Sequence, residues 1–236
     1  MADNSRVIVV GSINADIFAT GLESFPQSGQ HVYAQSIRVA AGGKSRNVAE
    51  MLSHLLDPGS VIMIGATIPD AFGLWEVPIA ALRVAGADVS HIIQVPSEAD
   101  ASTVSAGVAL ILVREAGDNE IILSPGASRY LTPELLDEKE FVFQEVSKQH
   151  GMLCLGMEMP LGTIIHAVKL AQKHHLRVAL DLGGMKVGEV YDELFAQPLF
   201  LVKPNEHEVR MATGIEVRDI ATARAAAEWF FARKTE

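Results

Sequence analysis

Short runs of apolar, mostly β-branched residues recur along the chain, and most are followed by apolar positions at helical spacing. Strands of a parallel sheet that is covered on both faces have this continuous apolar character. The pattern therefore predicts a doubly wound α/β fold, in which a mostly parallel sheet carries helices on both faces. The five predicted strands are Val7–Val10, Val61–Ile64, 152–155, 178–182 and 200–202.

Helical spacing is clearest in two places. Val48 and Leu52 share one face of a predicted helix, and Ile164 and Val168 share a face of a later one. A third helix is expected to begin at Thr132, because a threonine before proline is typical of an N-cap followed by the first helical position.

Two stretches, 29–40 and 101–123, break this rhythm, because they alternate or run apolar without an intervening helix. We interpret them as antiparallel strands of a small lid over the carboxyl ends of the parallel strands, where open α/β sheets bind ligands. The alternative is a sheet extension that merely covers an edge. The expected organisation is one α/β domain over 1–236 with this lid.

Composition narrows the function. The 236 residues are 49% hydrophobic, enough for one large domain, and the net charge of −10 argues against nucleic acid as a partner. Without a signal-peptide pattern or an apolar run of membrane-spanning length, the chain is expected to be cytosolic, with no membrane partner. The single cysteine, Cys154, excludes an internal disulfide and is expected to be buried and inert.

Polar residues suited to a sugar follow the first strand and open the first helix. Asp16 can accept two hydroxyl protons, while Asn14 and Asn47 can donate and accept at once, so together they match a vicinal diol. Glycines allow close approach of the backbone, and the helix N-terminus adds unpaired N–H groups. The predicted sugar pocket consists of Asn14, Asp16, Gly42, Gly43, Lys44 and Asn47.

Familiar nucleotide and metal motifs are absent from the sequence. Gly43-Lys44-Ser45 imitates the end of a P-loop, but Arg38 stands where its first glycine is required. The turn after the first strand lacks the second and third glycines of a dinucleotide fingerprint. The adjacent His174 and His175 point apart at a predicted helix end, which favours solvated or capping histidines over a metal site.

Six segments keep an order and spacing that resemble the ribokinase (PfkB) family of ATP-dependent carbohydrate kinases. They are GSINAD at 11–16, GGK with Asn47 at 42–47, GVALI at 107–111, SPGA at 124–127, Glu158 before Pro160, and KPNEHE at 203–208. The resemblance implies ATP-dependent phosphorylation of a hydroxyl of ribose or a similar sugar, with Mg²⁺ as cofactor and a monovalent cation left open. It also implies that the lid closes over the sugar and can form a homodimer contact.

The resemblance extends the site beyond the first helix. It adds Glu158 to the sugar-binding residues and implies that Asn205 and Glu208 place the nucleotide phosphates and magnesium. Mg²⁺ keeps several waters, so Glu208 would hold the metal through water. Asp181, at the end of its strand, would be a further polar contact near the phosphates.

Structural interpretations of these residues stay open. Asp16 and Asp181 could each be turn residues, while Asn205 could be a helix N-cap with Glu208 as its capping-box partner. Glu158 is different, because a carboxylate after so apolar a strand would be costly to bury without a polar partner.

The chain departs from the family pattern in two places. Ser45 stands where the family commonly carries glycine, and Arg46 follows it. We expect Arg46 to point outward along the helix, although a cation beside the pocket would suit a phosphorylated or acidic sugar. No D-T-x-G-A-G-D-like segment, the family's source of the catalytic aspartate and anion hole, occurs in 1–236.

The second departure bears on activity. The general-base aspartate is expected beyond Glu236, and the chain alone is expected to be nearly inactive. The alternatives are a truncated homologue that binds a sugar or nucleoside without catalysis, and a PfkB kinase for a nucleoside, fructose or a fructose phosphate.

Overall fold

The computed structural model describes residues 6–95 and 105–233 and contains a main sheet of five parallel strands. All four pairings are parallel, with Val7 opposite both Val61 and Met152. Each predicted run forms a strand to within one residue, and helices cover both faces, so the predicted fold class is confirmed. In spatial order the strands are β11 (Leu201–Lys203), β10 (Arg177–Asp181), β9 (Met152–Gly156), β1 (Val7–Val10) and β4 (Val61–Ile64).

A second sheet of four strands, which we call the lid, leaves the main sheet at the end of β1. Its strands, in spatial order, are β3 (Ser36–Gly42), β2 (Asn14–Leu22), β7 (Gly107–Arg114) and β8 (Asn119–Ser124). The β2–β3 and β7–β8 pairs are antiparallel, whereas β2 and β7 run parallel.

The lid corrects the sequence prediction in three respects. Its second strand, β2, was not predicted, because polar residues at its start interrupt the apolar run. The strand expected to start at 29 starts at Ser36, and one of the three pairings is parallel rather than antiparallel. Residues 101–104 of the predicted range lie outside the described residues.

The described residues also form eight α-helices, one 3₁₀-helix at Gly126–Tyr130, and a two-stranded parallel pair, β5 (Ala66–Thr67) with β6 (Ile93–Gln94). Thr132 caps α3 as predicted, since its side chain accepts a hydrogen bond from the Leu135 N–H. The helices are α1 (Lys44–Ser53), α2 (Glu76–Ala85), α3 (Pro133–Asp137), α4 (Glu140–Ser147), α5 (Leu161–Lys173), α6 (Asp192–Phe195), α7 (Glu206–Thr213) and α8 (Ile220–Phe231).

The core has one layer on each face of the main sheet. Alternate strand residues such as Ile8 and Leu153 pack with α3 to α6, and their neighbours Val9 and Met63 pack with α1 and α2. Cys154 is partly buried on the second face, and burial raises its thiol pKa to about 11, so it stays protonated at neutral pH. Within the described ranges, the longest apolar helix falls short of what crossing a membrane requires.

Candidate functional site

The predicted site residues gather at the carboxyl ends of the main strands. Parallel strands end at the same edge, so residues that follow β1, β9, β10 and β11 come together there. Helix α1 starts at this edge with Lys44, two residues after Gly42, the last residue of β3, which pairs with Asn14 on β2. The lid and the main sheet therefore meet at the residues predicted for a sugar.

Asn14 and Asp16 lie on the same face of β2, two residues apart, and glycines make room for both. A methyl group added at Gly42 would clash with the Asp16 carboxylate, and one at Gly107 would clash with Asn14 Oδ1. Asn14 is only 3% exposed, and its Oδ1 has no hydrogen-bond partner among the described residues. A buried amide oxygen without a partner is costly and suits a site that a ligand hydroxyl completes.

The environment of Asp16 is unfavourable to a negative charge. Burial raises the pKa of its carboxyl above the ordinary value, the nearby Glu158 raises it further, and Arg46 acts in the opposite direction. Two carboxylates and one guanidinium thus share this end of the pocket. Their arrangement offers several acceptors to a ligand that carries hydroxyl donors.

Glu158 has the polar partners that the sequence argument required. Its Oε2 accepts a hydrogen bond from Ser12 Oγ at 2.5 Å and a longer one from the Lys44 backbone N–H at 3.4 Å. The Lys44 ammonium lies 3.8 Å from Oε1. The sequence analysis gave Ser12 no role. The available signal was that Ser12 and Glu158 each follow a predicted parallel strand, so both were expected at the same edge of the sheet.

The N-terminus of α1 is more occupied than expected. Gly43 caps it with φ 95°, and a methyl group there would lie 2.8 Å from the Ser12 carbonyl oxygen. The Arg46 N–H donates to that same oxygen at 3.1 Å, and the Lys44 N–H points to Glu158. The expectation of unpaired N–H groups is therefore wrong for these two, because the turn after β1 supplies their acceptors.

Arg46 corrects a second expectation, because it points inward and is only 2% exposed. Its Nη1 donates to Asn47 Oδ1 at 3.0 Å, and its Nη2 lies 2.6 Å from Glu50 Oε2. These acceptors, beside Arg46 on the chain and one turn along the helix, give both terminal nitrogens of the buried guanidinium a partner. Asn47, expected to donate and accept at once, has its oxygen engaged by Arg46.

Ser45, the other departure from the family pattern, is 3% exposed. Its Oγ has no hydrogen-bond partner among the described residues and lies against two glycines, Gly11 and Gly156. A methyl group at either glycine would meet this oxygen, at 2.5 Å in the case of Gly156. The serine therefore fits only because both strand ends carry glycine here.

A cleft of about 360 Å³ lies beside the sugar residues. Its polar lining is formed by Lys44, Asn47, Asp181, Lys203, Asn205 and Glu208. The Asp181 carboxylate accepts from the Gly183 N–H at 2.8 Å and from Lys203 Nζ at 2.9 Å. The turn interpretation of Asp181 is thus confirmed, and its charge is balanced by a lysine that sequence reasoning did not single out.

Asn205 and Glu208 form the capping box at the start of α7. Asn205 Oδ1 accepts from the Glu208 N–H at 2.8 Å, while Glu208 accepts from the Asn205 N–H at 2.8 Å and from its amide at 3.1 Å. The structural interpretation of this pair is confirmed. Asn205 and Glu208 still line the cleft, so a ligand there would contact an already rigid pair.

The carboxylates of the cleft fit an indirect magnesium role. Across 6–95 and 105–233, His, Cys, Asp and Glu side chains form no group of three or more able to hold a metal ion. Each Glu208 oxygen accepts one hydrogen bond and keeps a further lone pair. This donor set suits a carboxylate that orients a metal-bound water, rather than a metal held by protein ligands alone.

Two known ribokinases resemble this chain over most of its length. Ribokinase from Arabidopsis thaliana is 31% identical over 89% of this chain and 52% of its own length. Ribokinase from Haemophilus influenzae is 29% identical over 94% of this chain and 67% of its own length. The chain thus spans about half the length of the first relative and two thirds of the second.

Solved structures give the same fold. Arabidopsis thaliana ribokinase, solved with ribose and ATP, has a TM-score of 0.81 at 27% identity and matches all of this chain and 70% of its own. The Thermotoga maritima ribokinase structure, with a TM-score of 0.77 at 24% identity over 98% of this chain and 69% of its own, supports the fold alone. The model of the pfkB family carbohydrate kinases matches residues 4–235. The chain belongs to the pfkB family of carbohydrate kinases.

Proposed function

We propose that this chain provides the sugar-binding part of an ATP-dependent kinase that phosphorylates a hydroxyl of ribose or a similar sugar. The observation that carries the proposal is the group formed by the buried Asn14 with the partly buried Asp16 and Glu158 at the meeting of lid and sheet. A neutral polyol can donate its hydroxyl protons to these acceptors and offers the buried Asn14 oxygen a partner.

Each residue has a role in this proposal. Asp16 and Asn14 bind neighbouring hydroxyls, and Glu158, held by Ser12, accepts from another. Gly42 and Gly43 keep the backbone close, and Lys44 lies between the sugar and the cleft. The lid closes over the bound sugar and excludes water.

The nucleotide is assigned to the cleft. ATP phosphates are anionic, and Lys44 and Lys203, each paired with a carboxylate, are the cations of the cleft wall that would contact them. Asp181 is the further polar contact, while Asn205 and Glu208 position the phosphates and a water of Mg²⁺. Asn47, which also lines the cleft, binds the sugar. Magnesium, when bound with ATP, would spread the charge of the transferred phosphoryl group.

A neutral sugar is favoured over a sugar phosphate. Arg46 was the cation that made a phosphorylated substrate conceivable, and it is enclosed and bonded to Asn47 and Glu50. A phosphate would also meet the carboxylates of Asp16 and Glu158, which repel it.

Phosphoryl transfer itself needs a general base and an anion hole that no segment of 1–236 resembles. Loss of a general base costs about 10²- to 10⁴-fold in rate, and loss of anion-hole donors adds a similar factor. We therefore propose that these residues bind sugar and ATP but turn over very slowly by themselves.

Thermal melting with a panel of ligands tests the proposal. A ligand that binds only the native state raises the melting temperature. Ribose should raise it, as should ATP with Mg²⁺, while fructose, adenosine and fructose phosphates should have smaller effects. If adenosine or fructose gives the largest shift, the sugar is wrong, and if no sugar or nucleoside shifts the melt, the pocket assignment fails.

The second candidate is a homologue that binds a sugar or nucleoside without catalysis. Measuring ADP release distinguishes it from a kinase. ADP formed with ribose at a rate clearly above the sugar-free control would exclude it. The cytosolic location and the absence of nucleic acid and membrane as partners stay predictions from sequence.

The lid is also proposed to pair two copies of the chain. By register, Ile17, Val39, Leu110 and Ile122 lie side by side on the lid face opposite Asp16. Three of them are exposed, Ile122 by 64%. A contiguous apolar face of this kind is typical of an interface.

A further inference from the structure

Arg46 has contacts that a surface helix residue would not need. Its side chain is 3% exposed, and both terminal nitrogens are bonded, one to Asn47 and one to Glu50. Its Nε has no partner among the described residues. Enclosing a guanidinium with an unmatched N–H has a free-energy cost, so a benefit elsewhere is expected.

One consequence of these contacts concerns the orientation of Asn47. Arginine has only donors, so the amide atom that lies 3.0 Å from Nη1 must be the carbonyl oxygen. The amide is therefore fixed with its oxygen toward Arg46. Its oxygen keeps one further lone pair, but its NH₂ group is held away from Arg46, so Asn47 can meet a ligand as a donor in the cleft that it lines.

The other consequence concerns Asp16 across the pocket. The charged groups that act on this carboxylate are Glu158, which opposes its ionisation, and Arg46, which favours it. Lys44 is paired with Glu158 at 3.8 Å, and Glu50 is paired with Arg46 at 2.6 Å. Loss of the Arg46 charge is therefore expected to raise the pKa of Asp16, as a secondary effect of the same substitution.

We infer that Arg46 is a positioning residue that sets the hydrogen-bonding polarity of the sugar pocket by holding the Asn47 amide as a donor. The ligand consequence rests on the proposed function. A sugar that places an acceptor at Asn47 is selected, and the guanidinium brings this about without touching the sugar.

The test compares Arg46→Met, Arg46→Lys and the control Arg114→Met, which removes another i,i+4 ion pair at the lid turn. Two readouts need no sugar: the side-chain amide resonances of Asn47, and the ¹³C titration of the Asp16 carboxyl. Arg46→Met should move the Asn47 resonances and raise the Asp16 midpoint, and Arg114→Met should move neither. Unchanged Asn47 resonances in a folded Arg46→Met protein would overturn the inference, whatever the Asp16 midpoint does.

Arg46→Lys decides the matter if the methionine variant does not fold. A lysine keeps the charge but not the planar fork. The Asp16 midpoint should then stay near that of the wild type while the Asn47 resonances move. If those resonances stay in place, Arg46 does not orient Asn47.

Ribose titrations separate this inference from the proposed function. Arg46→Met should weaken ribose about tenfold, the scale of one lost hydrogen bond to a charged group, and move the acid limb of binding to higher pH. If the wild type binds ribose and the variant matches it at every pH, the inference alone fails. If the sugar-free readouts move as expected but the wild type binds no sugar, the positioning role stands and the proposed function fails.

Discussion

Asp16 is a residue whose charge the fold disfavours and the proposed function requires. Burial and the neighbouring Glu158 raise its pKa, so the protein binds a proton here more tightly when folded than when unfolded. The contribution of this carboxyl to folding stability is therefore fully present below its ordinary pKa of 3.8 and is lost as the pH rises through its higher pKa in the folded state. At neutral pH the ionised carboxylate therefore lowers the free energy of unfolding relative to a neutral side chain.

Asp16→Asn should therefore stabilise the protein while abolishing its proposed task. We expect the variant to melt above the wild type at pH 7 and level with it near pH 3, because an amide carries no charge to desolvate. Thermal melts at the two pH values check this. A variant that melts lower at pH 7 would mean that the carboxylate is stabilised by contacts beyond those described.

Ser45 makes the packing at two strand ends unusually tight. Gly156→Ala should cost about 1–3 kcal/mol, because its methyl group would lie 2.5 Å from Ser45 Oγ. Adding Ser45→Ala should recover most of the loss. Chemical denaturation of the single and double variants measures this coupling.

Gly162→Ala is the matched control for that pair. A methyl group there meets no atom within 4 Å, and the residue lies in α5. Alanine is the better helix former by about 0.5–1 kcal/mol, so this variant should be slightly more stable. Equal losses for Gly156→Ala with and without Ser45 would contradict the proposed contact.

At the level of residues, prediction from sequence succeeded where the chemistry of one side chain stated what it needs. Glu158 was expected to need a polar partner, and Ser12 and Lys44 provide it. The inward turn of Arg46 was missed, because its partners, Asn47 and Glu50, lie on its own helix and can be reached from a buried or an exposed face alike. Which face is buried depends on tertiary packing, and neighbouring residues in the sequence do not reveal it.

The main strands and the lid differ in how well the sequence predicts them. The parallel strands are uninterrupted apolar runs bounded by polar residues, and all five were predicted to within one residue. Strand β2 begins with Asn14 and Asp16 and shifts register between Thr20 and Leu22, so neither a run nor an alternation marks it. The polar residues at its start therefore hide this strand from a search for apolar runs.

The capping role of Asn205 at α7 can be separated from its proposed role in ATP binding, because α8 has a matching capping box at Asp219. Asn205→Ala and Asp219→Ala should each cost about 1 kcal/mol of stability. Only Asn205→Ala should weaken ATP binding, because Asn205 lines the cleft. Denaturation and ATP titration of both variants test this, and equal ATP affinities would remove Asn205 from the proposed nucleotide site.

At the scale of the whole molecule, the exposed apolar face of the lid is the surface that we propose to form a dimer interface. The double variant Val39→Lys with Ile122→Lys should convert a lid-paired dimer into a monomer. Dimerisation would bury the charged lysines at the interface between the two copies, which is costly. Val187→Lys, at another highly exposed apolar position, is the control. Light scattering gives the mass, and a wild-type monomer at high concentration would contradict the lid-pairing proposal.

The most direct test of the sugar pocket is calorimetric titration of ribose into the wild type, Asp16→Asn and the control Asp137→Asn. Asp137 is an exposed carboxylate on α3 that contacts His166. We predict saturable binding by the wild type and the control, and at least about a tenfold loss in Asp16→Asn, since hydrogen bonds to a charged group are lost. Equal binding by all three, or none by the wild type, would contradict the account.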